Sequence, residues 1–280
     1  MVVRLPIAMG NATYGRHQMD DLPDRRKAVM TPPRGSGNRL LATLPAADFD
    51  LLMPEFEDVA LDQDAVLLRA GAPAEHLFFP HSGAISLMAE MANGQTVATA
   101  LVGREGAVGS LSALWPSPST VTAIVRVAGT ASRIPASRFY VIFNRYPAIR
   151  FALQIHFGAL LVQLQLGVGC NALHPVKARM GRWMLHLRDH IDDDVLPLTQ
   201  EQLAQILGVR RPTVTLLMRN LRASGAIKSD RRGQIEIDRV RLTAVACECH
   251  ATMRREVEEL FAMKPPHSGI PAEPDERGPQ

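Results

Sequence analysis

The chain has 280 residues, 46% of them hydrophobic and 21% charged, the balance of a globular protein long enough for two domains. Its net charge of only +3, despite a pI near 9.0, rules out a uniformly polycationic chain, so affinity for a polyanion would have to come from local clustering. Three cysteines, an odd number, do not make a disulfide framework and point to a reducing, cytoplasmic setting.

No uninterrupted apolar run reaches 18 residues, so no membrane span is expected; the longest apolar neighbourhood, Phe151 to Val168, is broken by Gln154, His156, Gln163 and Gln165. Arg4, Pro6 and Gly10 stand where a secretory signal would need an apolar core.

Residues 1–37 mix Pro, Gly and Arg without periodicity and are expected to form a disordered tail, as is the Pro-rich end over 263–280. A short helix is expected over Arg39–Leu52. From Glu57 to Ile134 short apolar or alternating runs follow one another: VLLRAG, HLFFPHSG, AISLMAEM, QTVATALVG, TVTAIVRVAG and TASRIPA. Asn93-Gly94 lies between two of them and is the strongest hairpin signal in the chain. Many short strands at this spacing predict a small sandwich or barrel.

After Phe139 the period lengthens. Pro147 suits a first helical turn, and Phe151, Ile155, Leu160, Val162, Leu164 and Leu166 predict a long helix to about Gly169. It is apolar around much of its circumference, which favours a dimerisation helix over a purely internal one.

Thr199 followed by Gln202 fits a capping box that opens a helix over Gln200–Leu207, and Gly208 can end it in the left-handed conformation. Val209 plugs the turn. Arg211 then stands before a second helix with Pro212 at its first position, Val214, Leu217, Met218 and Leu221 as its buried face, and Gly225 at its end. Two short helices with a Gly turn make a helix-turn-helix, whose second helix presents its amino end to the major groove. That end carries Arg210, Arg211 and Thr213, with Thr215 and Leu216 one turn on. Arginine can pair with guanine through two donors, and threonine can touch a thymine methyl or a phosphate. Arg219 suits a phosphate, as does Arg222. Thr199 and Gln200, at the start of the supporting helix, complete the expected contact surface. Downstream, IKSDRRGQIEI reads as a hairpin wing tipped by Arg231 and Arg232. From Gly208 to Gly233 there are seven Lys or Arg against one acid, Asp230, a local excess suited to double-stranded DNA.

A β-rich unit, a long helix and this winged helix-turn-helix, in that order, resemble the Crp/Fnr superfamily of bacterial transcription regulators. LTQEQLAQILGVRRPTVT carries the resemblance most specifically, with GREGAVG (103–109) and HLFFPHSGAISL (76–87) in support. The resemblance implies an α+β protein. Its parts would be an N-terminal jelly-roll-like, cyclic-nucleotide-binding-like β-roll over 38–146, a dimerisation helix over 147–171, and a C-terminal winged helix-turn-helix over 172–262. It implies a homodimer on two-fold DNA sites, half-sites on the order of 34 Å apart, with RNA polymerase as a further partner and no membrane.

Cyclic-nucleotide sensors of this family carry a Gly-Glu pair for the ribose and an Arg before Ser/Thr-Ala for the phosphate. Alignment through AIVRV puts those places at Gly109-Ser110 and Val121-Thr122-Ala123, where both charges are missing. Binding of cyclic AMP or cyclic GMP in the usual way is therefore not expected, since a buried unpaired phosphate is costly, and no cofactor is assigned. Gly103, Arg104, Glu105, Gly106, Gly109, Ser110, Val121 and Thr122 are the effector-pocket candidates, with the effector itself open. The recognition helix has Arg211-Pro212 where better-known members often have Arg-Glu, so their half-site sequence does not carry over.

An iron–sulfur sensor of the family needs amino-terminal cysteines, and none precedes Cys170. His76, His81 and His156 leave haem open. Cys247 and Cys249 would point about 200° apart on one helix, so no metal site is expected from them. The chain has no P-loop, GxSxG or HExxH, hence no expected catalytic residue; GREGAVG reads as a turn, and Asp189, Asp192, Asp193 and Asp194 as a solvated acidic run. A ligand-binding β-roll that regulates a protein partner is the alternative to a DNA-binding regulator.

Overall fold

The computed structural model describes residues 37–114, 117–231 and 234–263; the two expected tails lie almost wholly outside them. The helix expected over Arg39–Leu52 is broken. A 3₁₀ turn at Leu41–Thr43 is followed by extended Leu44, and α1 (Ala46–Leu52) starts only after Pro45. Proline disfavours a helical residue before it, which sets the break.

Seven strands then form the β-roll: β1 (Glu57–Leu61), β2 (Val66–Leu68), β3 (His76–Pro80), β4 (Ala84–Glu90), β5 (Thr96–Val102), β6 (Thr122–Val127) and β7 (Gly129–Pro135). They make two antiparallel sheets, in the orders β1-β7-β3 and β2-β6-β4-β5. Between β4 and β5 the chain reverses at Asn93-Gly94, where Gly94 takes φ 77° and the Asn93 side chain accepts the Gln95 N–H. Leu61, Phe78, Ile85, Val102, Val108, Ala123 and Val125 pack on one another inside the roll.

The helical part comprises α2 (Ala136–Arg145), α3 (Pro147–Leu173), α4 (Val176–Ile191), α5 (Gln200–Leu207), α6 (Arg211–Ala223), α7 (Arg239–Val245) and α8 (Cys249–Phe261). A small sheet in the order β8-β10-β9 is formed by β8 (Val195–Leu196), β9 (Ile227–Arg231) and β10 (Gln234–Ile237). The wing hairpin thus gains a third strand from the segment before α5. Cys247 lies in the turn between α7 and α8, and Cys249 is the first residue of α8. The helical geometry that set the two cysteines apart does not apply to them.

One hydrophobic core joins the two halves. Ala84 and Met88 of β4 and Ala98 and Leu101 of β5 pack with Met180, Trp183 and Met184 of α4 and with Leu203, Ile206 and Leu207 of α5. Ile85 of β4 faces the interior of the roll, while Ala84 and Met88 lie under α4 and α5 instead of water, so the strand is covered on both faces.

α3 is long and apolar enough to cross a membrane by length and composition, and it is partly buried against this chain. Ile149, Ala152 and Leu153 fill the core beside Phe79 and Phe139. Gln163, one of the polar breaks in its apolar run, is buried and pairs with edge strand β5. Its Oε1 accepts the Leu101 N–H at 3.0 Å and its Nε2 donates to the Leu101 carbonyl at 3.1 Å. A buried strand edge is satisfied in this way by a side chain. Away from these contacts Leu161, Leu164 and Val168, three and four residues apart, are 53%, 42% and 72% exposed.

Candidate nucleic-acid interface and effector cavities

The helix-turn-helix forms where its local signals put it. Gln202 N–H donates to Thr199 Oγ1 at 3.2 Å and Thr199 N–H to Gln202 Oε1 at 2.9 Å, closing the capping box. Gly208 takes φ 63° and ends α5. α6 begins one residue earlier than expected: Arg210 is its N-cap, so Arg211 occupies the first position and Pro212 the second. Proline costs nothing there, because the first-turn N–H groups have no intrahelical acceptor. Val214, Met218 and Leu221 are buried; Leu217 is only partly covered.

Arg210, Arg211, Pro212, Thr213, Thr215, Leu216, Arg219 and Arg222 are all exposed on the outer side of α6. Thr215 Oγ1 donates to Gln200 Oε1 at 2.8 Å, bringing two of the expected contact residues together across the two helices. Arg211 Nε lies 4.0 Å from Glu201 Oε2, an exposed pair that holds the guanidinium over the amino end of α5. Exposed pairs of this kind are weak enough to be exchanged for phosphate. Arg231 ends β9, and Arg232 lies outside the described residues.

A polar chain that no local pattern signals joins this unit to the β-roll. Arg126 of β6 is 2% exposed. Its Nε donates to Ser86 Oγ of β4 at 2.8 Å, and its Nη1 lies 3.8 Å from Asp64 Oδ1. Asp64, at φ 64°, accepts in turn from Gln202 Nε2 at 2.8 Å. Burial pulls Arg126 below the ordinary guanidinium range, with Asp64 opposing.

Five of the eight effector-pocket candidates line two separate cavities. Gly109, Ser110 and Val121 line a cavity of about 110 Å³ in the β-roll, together with Leu68, Leu87 and Leu160. Among the described residues no charged side chain lines it. Gly109 has φ 81°, and Ser110 Oγ lies 3.1 Å from His156 Nε2. Thr122 faces elsewhere, its hydroxyl accepting the Ala70 N–H at 3.1 Å.

Arg104 and Glu105 instead face the helical half. Glu105 pairs with His190 of α4 at 3.0 Å and accepts the Gly103 N–H at 2.9 Å; Arg104 reaches Asp192 at 3.1 Å. The loop can make this turn because Gly106 lies hard against His156: a Cβ on it would come within 2.9 Å of the ring. Burial works against the Glu105 carboxylate, but His190 and backbone donors outweigh it and hold the group at about 2. Burial pushes His156 down to about 4. A second, polar cavity of about 310 Å³ opens here, lined by Arg39, Arg104, Arg182, His186, Asp189 and Arg254 among others. The acidic run is bonded rather than merely solvated. Asp189 meets His250 at 2.8 Å, Asp194 accepts from Arg188 Nε at 3.0 Å, and Asp193 accepts the Val195 N–H at 2.9 Å.

Comparison with known proteins agrees with these two halves. Residues 58–146 match the cyclic nucleotide-binding domain and residues 178–245 the Crp-like helix-turn-helix domain. By this pair of domains, joined through α3, the chain belongs to the Crp/Fnr superfamily. Similar solved structures include the c-di-GMP-responsive global regulator CLP of Xanthomonas campestris, at 18% identity and a TM-score of 0.59, over 69% of this chain and 99% of that one. FixK2 of Bradyrhizobium japonicum matches at 15% identity and a TM-score of 0.59, over 69% and 98%. A Crp/Fnr-family regulator from Thermus thermophilus matches at 24% identity and a TM-score of 0.57, over 68% and 98%. At these identities the likeness is one of fold. No curated protein matches the chain in sequence.

Proposed function

We propose that this chain is a cytoplasmic, homodimeric transcription regulator that lays the amino end of α6 in the DNA major groove. The exposed amino end of that helix, Arg210, Arg211 and Thr213, with Thr215 and Arg219 farther along, carries the reading. Arg210 and Arg211 are the base readers, and Arg219 and Arg222 meet phosphates. Leu161, Leu164 and Val168 form the dimer seam, at the spacing by which paired helices interlock. RNA polymerase is the expected further partner.

Cyclic AMP or cyclic GMP is not the effector in the family's usual manner. The β-roll cavity, about 110 Å³, falls below the roughly 300 Å³ at which ligand pockets begin. With no described charged side chain lining it, a nucleotide phosphate would be desolvated without a partner. Selection of bound fragments from bacterial genomic DNA, followed by gel shifts, tests the DNA reading: a two-fold motif supports it, and binding without sequence preference overturns it. Titration calorimetry with cyclic AMP and cyclic GMP tests the effector statement, which saturable binding of either would overturn.

A further inference from the structure

The carboxyl end of α3 carries Cys170 and His174, four residues apart and so on one side of the helix. The turn between α7 and α8 brings Cys247 and Cys249 against them. Cys170 Sγ lies 3.5 Å from Cys247 Sγ, and Cys249 Sγ lies 3.5 Å from His174 Nδ1. All four ligating atoms fall within 4.8 Å of one another. These are the chain's only cysteines, and all three are buried.

We propose that Cys170, His174, Cys247 and Cys249 form a tetrahedral Cys₃His site for a zinc ion, clasping the end of α3 to the α7–α8 turn. Zinc bonds of about 2.3 Å to sulfur and about 2.0–2.1 Å to nitrogen set neighbouring ligand atoms of a tetrahedron about 3.5–3.8 Å apart. Two ligand pairs already stand at 3.5 Å, and the others close with shifts of about an ångström. Three thiolates and an imidazole suit zinc and disfavour magnesium, calcium and manganese.

The surroundings of the histidine give independent support. His174 Nε2 lies 3.2 Å from Glu248 Oε1, a contact that favours the ring hydrogen on that nitrogen and leaves Nδ1, which faces Cys249, as the ligating atom. A carboxylate behind a histidine is the usual arrangement at bound metals. Simple packing of small apolar thiols would not aim a ring nitrogen at them. Metal binding displaces three thiol protons to solvent and involves no change of oxidation state. With four protein ligands the site is closed, hence structural in kind.

Its place gives it a consequence. His174 caps the carboxyl end of α3, and Pro175 caps the start of α4. The clasp therefore spans the joint between the long helix and the DNA-binding half.

The full chain, purified under reducing conditions without chelator, is expected to carry one zinc ion per chain by inductively coupled plasma mass spectrometry. Exchange into cobalt(II) is expected to give intense tetrahedral d–d bands and thiolate-to-cobalt charge transfer. Cys247→Ser and Cys249→Ser should each lose most of the bound zinc and the charge-transfer intensity, and His174→Ala should weaken both. If the variants do not fold, the wild-type cobalt spectrum decides alone. A wild-type chain that retains no zinc after equilibration with it, and whose cobalt spectrum is that of the hydrated ion, overturns the proposal. So does a Cys170–Cys247 disulfide found by mass spectrometry in the protein as isolated.

Discussion

Gln202 serves two halves of the molecule at once: its Oε1 accepts the Thr199 N–H at 2.9 Å while its Nε2 donates to Asp64 Oδ1 at 2.8 Å. The residue that starts the helix-turn-helix is thus also tied to a β-roll turn, and through Asp64 to buried Arg126. Gly adopts the left-handed backbone at position 64 freely, so Asp64→Gly removes the carboxylate acceptor without straining the turn. Asp64 is more than half exposed, so solvent screening holds the loss of stability to about 1 kcal/mol or less. The larger expected effect is faster amide hydrogen exchange in α5, read by mass spectrometry; unchanged exchange would mean that the tie does not hold the halves together.

Arg211→Ala should leave the thermal midpoint nearly unchanged, because the side chain is exposed and its one ion pair is weak. DNA affinity should fall by about 1–3 kcal/mol, with relaxed preference at one base of each half-site. Arg219→Ala should weaken binding to all sequences alike and lower the slope of log affinity against log salt by about one. Fluorescence anisotropy across a salt series separates the two effects. Equal behaviour of the two variants would remove the distinction between reader and phosphate contact.

Val168→Glu places a carboxylate on the exposed stripe of α3 while touching nothing inside the chain's own core. Light scattering behind size exclusion should report a monomer, and affinity for a two-fold site should drop toward that of a single half-site. A dimer of undiminished stability would place the seam elsewhere.

Acid should destabilise the fold before its carboxylates titrate. His156 is held at about 4, against about 6.5 for an unfolded histidine. Between these values the unfolded chain binds the extra proton, so stability is full above pH 6.5 and falls as pH drops toward 4. The loss is on the order of 3 kcal/mol for this group. His186, lowered by burial first and by nearby His190 second, adds in the same direction. Glu105, held at about 2, extends the decline below pH 4.5. Thermal midpoints from pH 7.5 to 4 should fall steeply for the native chain and less steeply for His156→Gln. Parallel curves would show that His156 is not the group concerned.

What the sequence made readable was what short-range physics decides. Thr199 and Gln202 three residues apart, Gly208 after an apolar run, and a proline near a helix start each act over one or two turns, and each is found within a residue of its expected place. The groups that tie the halves together depend on distances along the chain that no periodicity reports. Asp64 and Gln202 are 138 residues apart, and Cys170 and Cys247 are 77 apart. The same limit misplaced Arg104 and Glu105 beside Gly109. They are neighbours in GREGAVG, but the chain turns at Gly106, and His190 and Asp192 draw the two charges to the far side. Cys247 and Cys249 do not share a helix as the sequence pattern implies: Cys247 lies in the turn before α8, which no local periodicity reports.

The apolar roof that α4 and α5 form over β4 and β5 bears on how this molecule can be dissected. Cutting the chain between its β-roll and its helix-turn-helix half would strip both fragments along the same oily seam, leaving Met88 and Leu101 on one side and Trp183 and Leu203 on the other without cover. Neither piece would be a fair miniature of its half. The two halves should melt together in a single calorimetric transition, and any change that loosened that seam would reach α5 and the helix that follows it without a messenger in between.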